Sequence, residues 1–240
     1  MNISKRRVRA IFLKELREYR RNGFIIATMA ILPLIFLIQP LIEVFALPAS
    51  ASGALRHEDP LLYLLGIPAL VPACVAAYSV VGERQQGTLE PVLTTPVRRE
   101  EFLLGKALAA LVPSLVIAYA VYAFFLACVG LFAQPGVASA LVRGPDILAQ
   151  LLFTPLLAGW SIWIGIAISA RSRDVRVAQQ LGLLASLPSV AVTSLIALNV
   201  IHASPGVALG GAVALLVLNS LGWRITSAAF DRERLITGTR

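Results

Sequence analysis

Six long apolar runs constrain the fold of this chain more than any other feature. They extend over about 24–47, 61–82, 107–133, 147–170, 181–203 and 207–230. An α-helix rises about 1.5 Å per residue, so about 20 residues cross a hydrocarbon layer about 30 Å thick. Backbone groups exposed to lipid must form their hydrogen bonds within the segment, and runs of this length do so as helices. The sequence therefore predicts an all-α integral membrane protein with six transmembrane helices.

The basic residues lie in alternate connections between these runs. Of the 21 Lys and Arg residues, all except Arg56 and Arg143 fall in four segments, 1–23, 83–106, 171–180 and 224–240. Because basic connections stay on the cytoplasmic side of a membrane, both termini are predicted to be cytoplasmic. The net charge of +8 thus belongs to membrane flanks rather than to a basic soluble domain, and we expect no nucleic-acid partner.

The N-terminal segment 1–23 carries an apolar stripe at helical spacing. Val8, Ile11, Phe12, Leu16 and Tyr19 share one helix face, and Lys and Arg residues cover the other. This pattern is typical of an amphipathic helix in the membrane interface, with its apolar face toward lipid and its basic face toward anionic headgroups. A plain basic flank of the first span is the alternative. We expect a six-helix transmembrane domain over 24–230 and a cytoplasmic tail over 231–240.

The connection 83–106, between the second and third runs, is long and carries charges of both signs. After Pro96, the pattern places Val97 on one helix face with the pair Phe102 and Leu103 or Leu104. Glu100 and Glu101 lie where a helix dipole favours acids. This predicts a short helix at the cytoplasmic surface, and mixed charges there would give a docking partner its specificity and register. A solvated loop is the alternative interpretation.

This connection also carries a family motif. The run Glu83-xxx-Gly87-Thr88-Leu89-Glu90, then Leu93-x-Thr95-Pro96 and Glu101-xxx-Gly105-Lys106, resembles the permease subunits of the type-2 ABC transporter family. In that family the stretch after the second span is the cytoplasmic coupling region that contacts the ATP-binding subunit. The resemblance, which covers nearly the whole chain, implies an ATPase-coupling role for twelve residues: Glu83, Gly87, Thr88, Leu89, Glu90, Thr95, Pro96, Arg98, Arg99, Glu101, Gly105 and Lys106.

The same resemblance implies the partners of the chain. They are a separate ABC ATP-binding subunit, which would hold the ATP, a second permease chain, identical or merely similar, and the surrounding membrane lipid. We expect a multi-pass protein in a bacterial plasma membrane. The outer connections 48–60 and 134–146 are too short for a large external substrate-binding domain, which favours export.

Motifs for catalysis are missing from the sequence. There is no GxxxxGK[ST] phosphate loop and no HExxH, and the two histidines, His57 and His202, are far apart. Cys74 and Cys128 lie inside apolar runs and are expected to be small buried hydrophobic residues. The chain is therefore expected not to be an enzyme, and to hold no catalytic site, metal or cofactor of its own.

Polar residues within the runs are few. Glu43 is the one carboxylate, near the outer end of the first run, and Gln39 lies one turn before it. The two residues either line an outer vestibule of a pathway or form an interfacial pair exposed to water. Proton- and ion-coupled carriers keep ionisable residues near the bilayer midplane, and these runs hold none there.

These observations lead to one function hypothesis and two alternatives. The hypothesis is a permease subunit of an ABC exporter that moves an apolar or amphipathic substrate. The alternatives are a non-transporting scaffold or immunity-type protein that sequesters a toxic peptide, and a proton-coupled carrier. The tight Ser204-Pro205-Gly206 connection makes a separate, structural prediction: the last two helices are antiparallel neighbours.

Overall fold

The computed structural model describes residues 3–46, 60–87, 97–198, 200–201 and 204–229. The described residues form helices and connections and contain no strand. Ten helices are described in chain order: α1 Lys5–Arg21, α2 Gly23–Ala46, α3 Pro60–Tyr63, α4 Gly66–Tyr78, α5 Val81–Gln85, α6 Arg99–Phe132, α7 Pro135–Leu141, α8 Gly144–Arg171, α9 Val175–Ala197 and α10 Pro205–Ala229.

Six of the helical segments are long and apolar enough to cross a membrane. They are α2, the combined α3–α5, α6, α8, α9 and α10. This confirms the predicted all-α membrane protein with six spans. The second span is made of three short helices because the chain turns at residues 64–65 and again at 79–80.

The third span begins earlier than its apolar run. Helix α6 starts at Arg99 and continues to Phe132, so the expected short surface helix after Pro96 is instead the first part of α6. The Glu101 carboxylate accepts a hydrogen bond from the backbone N–H of Arg98 (3.1 Å), which stabilises the start of the helix. The helix continues past Lys106, whose ammonium group has buried partners that are described below.

The second span forms the axis of the bundle. It packs against α2, α6, α8 and α9, and 89% of its most apolar window is buried. Small residues permit this close packing: a Cβ atom at Gly165 of α8 would lie 2.6 Å from the carbonyl oxygen of Ala73. The Ser161 hydroxyl donates to the carbonyl of Ala69 at 2.6 Å.

The turn at residues 79–80 is satisfied by a neighbouring helix. The Ser169 hydroxyl oxygen of α8 accepts hydrogen bonds from the backbone N–H groups of Val80 and Val81, each at 3.0 Å. An interrupted helix inside a membrane leaves backbone donors that lipid cannot satisfy. Ser169 therefore allows the second span to bend at this end of the bundle.

Helix α10 lies at the edge of the bundle, where it packs mainly on α8. The expectation that the last two helices are neighbours is wrong for the described residues, since α9 and α10 make at most marginal contact. The reason is that α8 offers α10 both a hydrogen bond and a close packing contact. The Asn219 amide donates to the carbonyl of Leu156 (2.9 Å), and a Cβ atom at Gly159 would lie 2.4 Å from the Asn219 side-chain oxygen.

Substitution of Gly165 tests the close approach of α8 to the second span. We expect Gly165→Ala to destabilise the protein by about 1–3 kcal/mol, because the new methyl group would overlap the Ala73 carbonyl. The measurement is the midpoint of thermal unfolding in detergent. Gly130→Ala is the control, since a Cβ atom at Gly130 would meet nothing within 4 Å. Equal midpoints for the two variants would contradict this packing.

Candidate functional site

A buried ion cluster lies at the end of the bundle where α1, α5 and α6 meet. The Lys106 side chain is 0% exposed. Its Nζ donates to the Glu15 carboxylate at 2.8 Å and to the Ser79 carbonyl at 2.7 Å, and it lies 3.3 Å from the Glu83 carboxylate. One ammonium group thus joins three segments that are far apart in the sequence.

Lys14 extends the cluster toward its exposed side. Its Nζ donates to the Glu83 carboxylate and lies 3.0 Å from that of Glu18. Partial burial opposes the charged form of Lys14, but the hydrogen bond and the charges of Glu83 and Glu15 outweigh it and raise the pKa of Lys14. Burial raises the pKa of Glu15, and the charge of Lys106 opposes that rise.

Three carboxylates of this cluster lie close enough together to coordinate a metal ion. Oxygen atoms of Glu15, Glu18 and Glu83 lie within 4.8 Å of one another. The ammonium groups of Lys14 and Lys106 already contact these carboxylates and supply positive charge. The arrangement is that of an ion-pair network, and we assign no metal to it.

A second contact fixes the start of α1 on the start of α6. The Glu101 carboxylate accepts from the backbone N–H of Ser4 at 2.8 Å and from the Arg7 guanidinium at 3.2 Å. One turn further along α6, Gly105 lies directly beneath Ile11, because a Cβ atom there would be 2.7 Å from the Ile11 side chain. Helix α1 therefore crosses α6 along its first two turns.

The apolar face of α1 packs on protein. Val8 and Tyr19 are buried, and Tyr19 belongs to an apolar cluster that includes Phe102 and Leu103 of α6. From the sequence pattern, this face was predicted to lie toward lipid. The structure differs because α6 offers an apolar surface of its own beside the ion cluster.

Two arginines tie the ends of the segment 85–98 to other helices. The Arg84 guanidinium donates to the carbonyls of Ser172 (2.7 Å) and Ala170 (3.1 Å) at the C-terminal end of α8. The Arg99 guanidinium donates to the carbonyl of Ser227 (2.9 Å) near the end of α10. Carbonyls in the last turn of a helix have no partner within that helix, so these bonds satisfy them from outside.

The residues assigned to coupling fall into three groups in the structure. Glu83, Glu101, Gly105 and Lys106 are buried against their own chain, and Arg99 is half-buried. Gly87, with φ of 69°, and Arg98 are exposed. The left-handed backbone at Gly87 favours glycine, which has no Cβ atom to clash. The other five, Thr88, Leu89, Glu90, Thr95 and Pro96, lie outside the described residues.

Gln39 and Glu43 lie elsewhere, in the second half of α2. The Gln39 amide donates to the Glu43 carboxylate at 3.0 Å, and both residues are half-buried. The structure does not bring this pair to the ion cluster. Both interpretations of the pair, a vestibule or a water-exposed interfacial pair, stay predictions.

The sequence pattern did not identify Lys14, Glu15 and Glu18, which are three of the five charged side chains of the cluster. A signal for Glu15 was present, because it lies seven residues after Val8 and four before Tyr19, on the apolar stripe itself. An acid on an apolar helix face indicates a buried cationic partner, since an unpaired buried charge is very costly. The sequence did not show that the partner is Lys106.

The chain matches the model of a known protein family. A family model described as "ABC-2 family transporter protein" matches residues 9–230, from within α1 to the end of α10. The match includes the ion cluster and the segment 83–106. A search among curated proteins gave no match.

Removal of the central ammonium group tests the cluster. We expect Lys106→Met to destabilise the protein by roughly 3–5 kcal/mol, because the buried Glu15 carboxylate loses its hydrogen-bonded cation and keeps only the longer contact with Lys14, at 3.6 Å. The thermal unfolding midpoint in detergent measures this. The control is Arg176→Gln, which removes one positive charge from an exposed position of α9. If both variants unfolded at the wild-type temperature, the cluster would not stabilise the fold.

A double substitution separates the ion pair from a general packing defect. We expect Glu15→Gln combined with Lys106→Met to unfold at a higher temperature than Lys106→Met alone. The double variant removes both charges of the pair, and Glu83 keeps its bond to Lys14. A double variant that loses the full sum of the two single losses would show that the two side chains act independently.

Proposed function

The chain belongs to the ABC-2 family of transporter proteins, and we propose that this membrane-spanning subunit serves an exporter driven by ATP hydrolysis on a separate subunit. The family membership makes a partner ATP-binding subunit the expected source of energy. The site of its docking, the direction of transport and the class of substrate are our proposals.

We place the docking of the ATP-binding subunit on the segment 87–98. The observation that carries this proposal is the anchoring of the residues on both sides of it. Before the segment, Glu83 and Arg84 bind α1 and the end of α8. After it, Arg99 and Glu101 bind the end of α10 and the start of α1. A displacement of this segment by the ATP-binding subunit would therefore act on several helices together.

This arrangement gives the motif residues two different tasks. Gly87, Arg98 and the residues between them would meet the ATP-binding subunit. Glu83, Glu101, Gly105 and Lys106 would hold the segment on α1 and α6, because their contacts are within the chain. Removal of one partner of a buried ion pair is costly in free energy, so these contacts would hold the segment rigidly on α1 and α6.

We propose that two permease chains form the pathway and that its substrate is apolar or amphipathic. The spans support this, because no charged residue occurs in the stretches 60–82, 107–132 and 147–170. Helices α2, α9 and α10 expose large apolar side chains such as Ile35, Leu184 and Leu216. These exposed apolar faces are available for contact with lipid and with a second permease chain.

An affinity pull-down tests the docking segment. Tagged protein is extracted from its own membranes in mild detergent, and we expect a co-purifying ATP-binding subunit that is lost or strongly reduced with Glu90→Arg. A reversed charge in a docking surface places like charges together and weakens the contact. The control is Glu233→Arg, which makes the same charge change in the tail. If no ATP-binding subunit is captured with wild type, the scaffold alternative replaces our proposal.

The two arginines test transmission separately from docking. We expect the double variant Arg84→Gln and Arg99→Gln to keep the ATP-binding subunit and to lose several-fold in transport-coupled ATP hydrolysis. The reason is that the bonds to the ends of α8 and α10 are removed while the segment between them is unchanged. The measurement is ATP turnover by the purified complex in vesicles. Full turnover would exclude these arginines from the transmission of force.

A further inference from the structure

A groove of about 390 Å³ lies between α1 and the first third of α6. Lys5, Arg9 and Phe12 line it from α1, and Leu104, Leu108 and Val112 line it from α6. The proposed docking of the ATP-binding subunit does not use this groove. The groove surface is almost entirely apolar, and two of the residues that line it, Lys5 and Arg9, are exposed cations. An apolar groove beside cations is the composition expected of a site for an anionic amphiphile.

The two walls are continuous stripes. Lys5, Arg9 and Phe12 follow one another at spacings of four and three residues, so they share one face of α1. Leu104, Leu108 and Val112 are each four residues apart and form an apolar strip about 12 Å long on α6. Leu104 and Leu108 are half-buried and Val112 is exposed.

The charges lie at one end of the apolar strip. Helix α1 is fixed on α6 at Glu101, through Ser4 and Arg7, and at Gly105, through Ile11. Lys5 and Arg9 therefore lie beside the first two turns of α6, and Val112 lies about two turns further along it. A phosphate group at Lys5 and Arg9 would leave an attached hydrocarbon chain to follow the strip toward Val112.

Lys5 and Arg9 differ from Arg7 and Lys14, whose charges are paired within the chain. Arg7 pairs with Glu101, and Lys14 pairs with three carboxylates. Within the described part of the chain, Lys5 and Arg9 are exposed and form no ion pair. Four other basic residues of α1 are likewise exposed without an ion pair in the described part of the chain: Arg6, Arg17, Arg20 and Arg21. Lys5 and Arg9 are set apart by their position at the groove.

We propose that this groove is a binding site for one anionic phospholipid of the surrounding bilayer. Its phosphate contacts Lys5 and Arg9, and one acyl chain covers Leu104, Leu108 and Val112. The lipid would contact α1 and α6 at once, so it would stabilise the docked position of α1. A soluble phosphate compound has no chain to cover the apolar strip, and a zwitterionic lipid carries a cation that Lys5 and Arg9 repel.

Lipid binding by the purified full-length protein tests the site. Native mass spectrometry gives the dissociation constant of dioleoylphosphatidylglycerol, compared with dioleoylphosphatidylcholine and with glycerol phosphate. The test variant is Lys5→Gln with Arg9→Gln. The matched control is Arg6→Gln with Arg17→Gln, which removes the same charge from exposed positions of α1 that do not line the groove. Leu108→Trp fills the apolar wall without changing charge.

The proposal makes a distinct prediction for each arm. Each basic side chain near an anionic headgroup contributes about fivefold in affinity, so the Lys5 and Arg9 variant should bind phosphatidylglycerol about 25-fold more weakly. The Arg6 and Arg17 variant should bind within about threefold of wild type, and folded Leu108→Trp should bind several-fold more weakly. Phosphatidylcholine and glycerol phosphate should bind much more weakly than phosphatidylglycerol.

Three results would overturn the proposal. Equal losses of phosphatidylglycerol affinity in the two charge variants would show that the lipid is attracted to the overall positive charge of α1 and not to the groove. Binding of glycerol phosphate as tight as that of phosphatidylglycerol would show a site for a soluble anion. Equal binding of phosphatidylcholine would show that Lys5 and Arg9 do not select the lipid. If Leu108→Trp does not fold, the difference in phosphatidylglycerol affinity between the two charge variants decides whether the groove is the binding site.

Discussion

The ammonium group of Lys106 is the constraint on which one end of this bundle depends. A charge without contact with water is tolerated only when it is paired and hydrogen-bonded. Lys106 meets that condition through Glu15, Glu83 and the Ser79 carbonyl, and these groups come from α1 and from the end of the second span. Because all three must converge on one atom, the ion cluster fixes how α1, α5 and α6 meet.

Near the middle of the bundle, the described helices are held together by the packing of small side chains and not by ion pairs. The second span contacts four other long helices, and Gly165 brings α8 to the backbone of Ala73. Two serines serve the backbone: Ser161 donates to the Ala69 carbonyl, and Ser169 accepts from the turn before α5. The protein thus joins a closely packed axis to a charged end, and the segment 83–106 belongs to the charged end.

The coupling motif carries two kinds of information. Some of its residues are buried supports, and their conformation depends on α1, which precedes the motif by some seventy residues. Others lie between Gly87 and Arg98, where a partner would dock. The groove occupied by our proposed lipid adjoins the same α1 and α6 contact, at Gly105 and Glu101. Membrane composition and the ATP-binding subunit would then act on one structural unit, the docked α1.

Much of this protein was determined by the sequence alone. The six spans follow from hydropathy, which acts residue by residue and needs no knowledge of neighbours. The family resemblance followed from local motifs between Glu83 and Lys106, and the match over residues 9–230 confirms it. The acids at the start of α6 and the helical stripe of α1 are likewise local features, and both occur in helices of the structure.

Only the tertiary structure decided which side chains meet. Lys106 was assigned to the cytoplasmic coupling connection 83–106, yet it is buried, because Glu15 and Glu83 neutralise it from elsewhere in the chain. Helix α10 packs on α8 and not on α9, since Gly159 makes room for Asn219. Hydropathy identifies where a chain crosses a membrane, but it does not determine the neighbours of a helix. Those depend on shape and charge pairing between residues far apart in sequence, which no local pattern records.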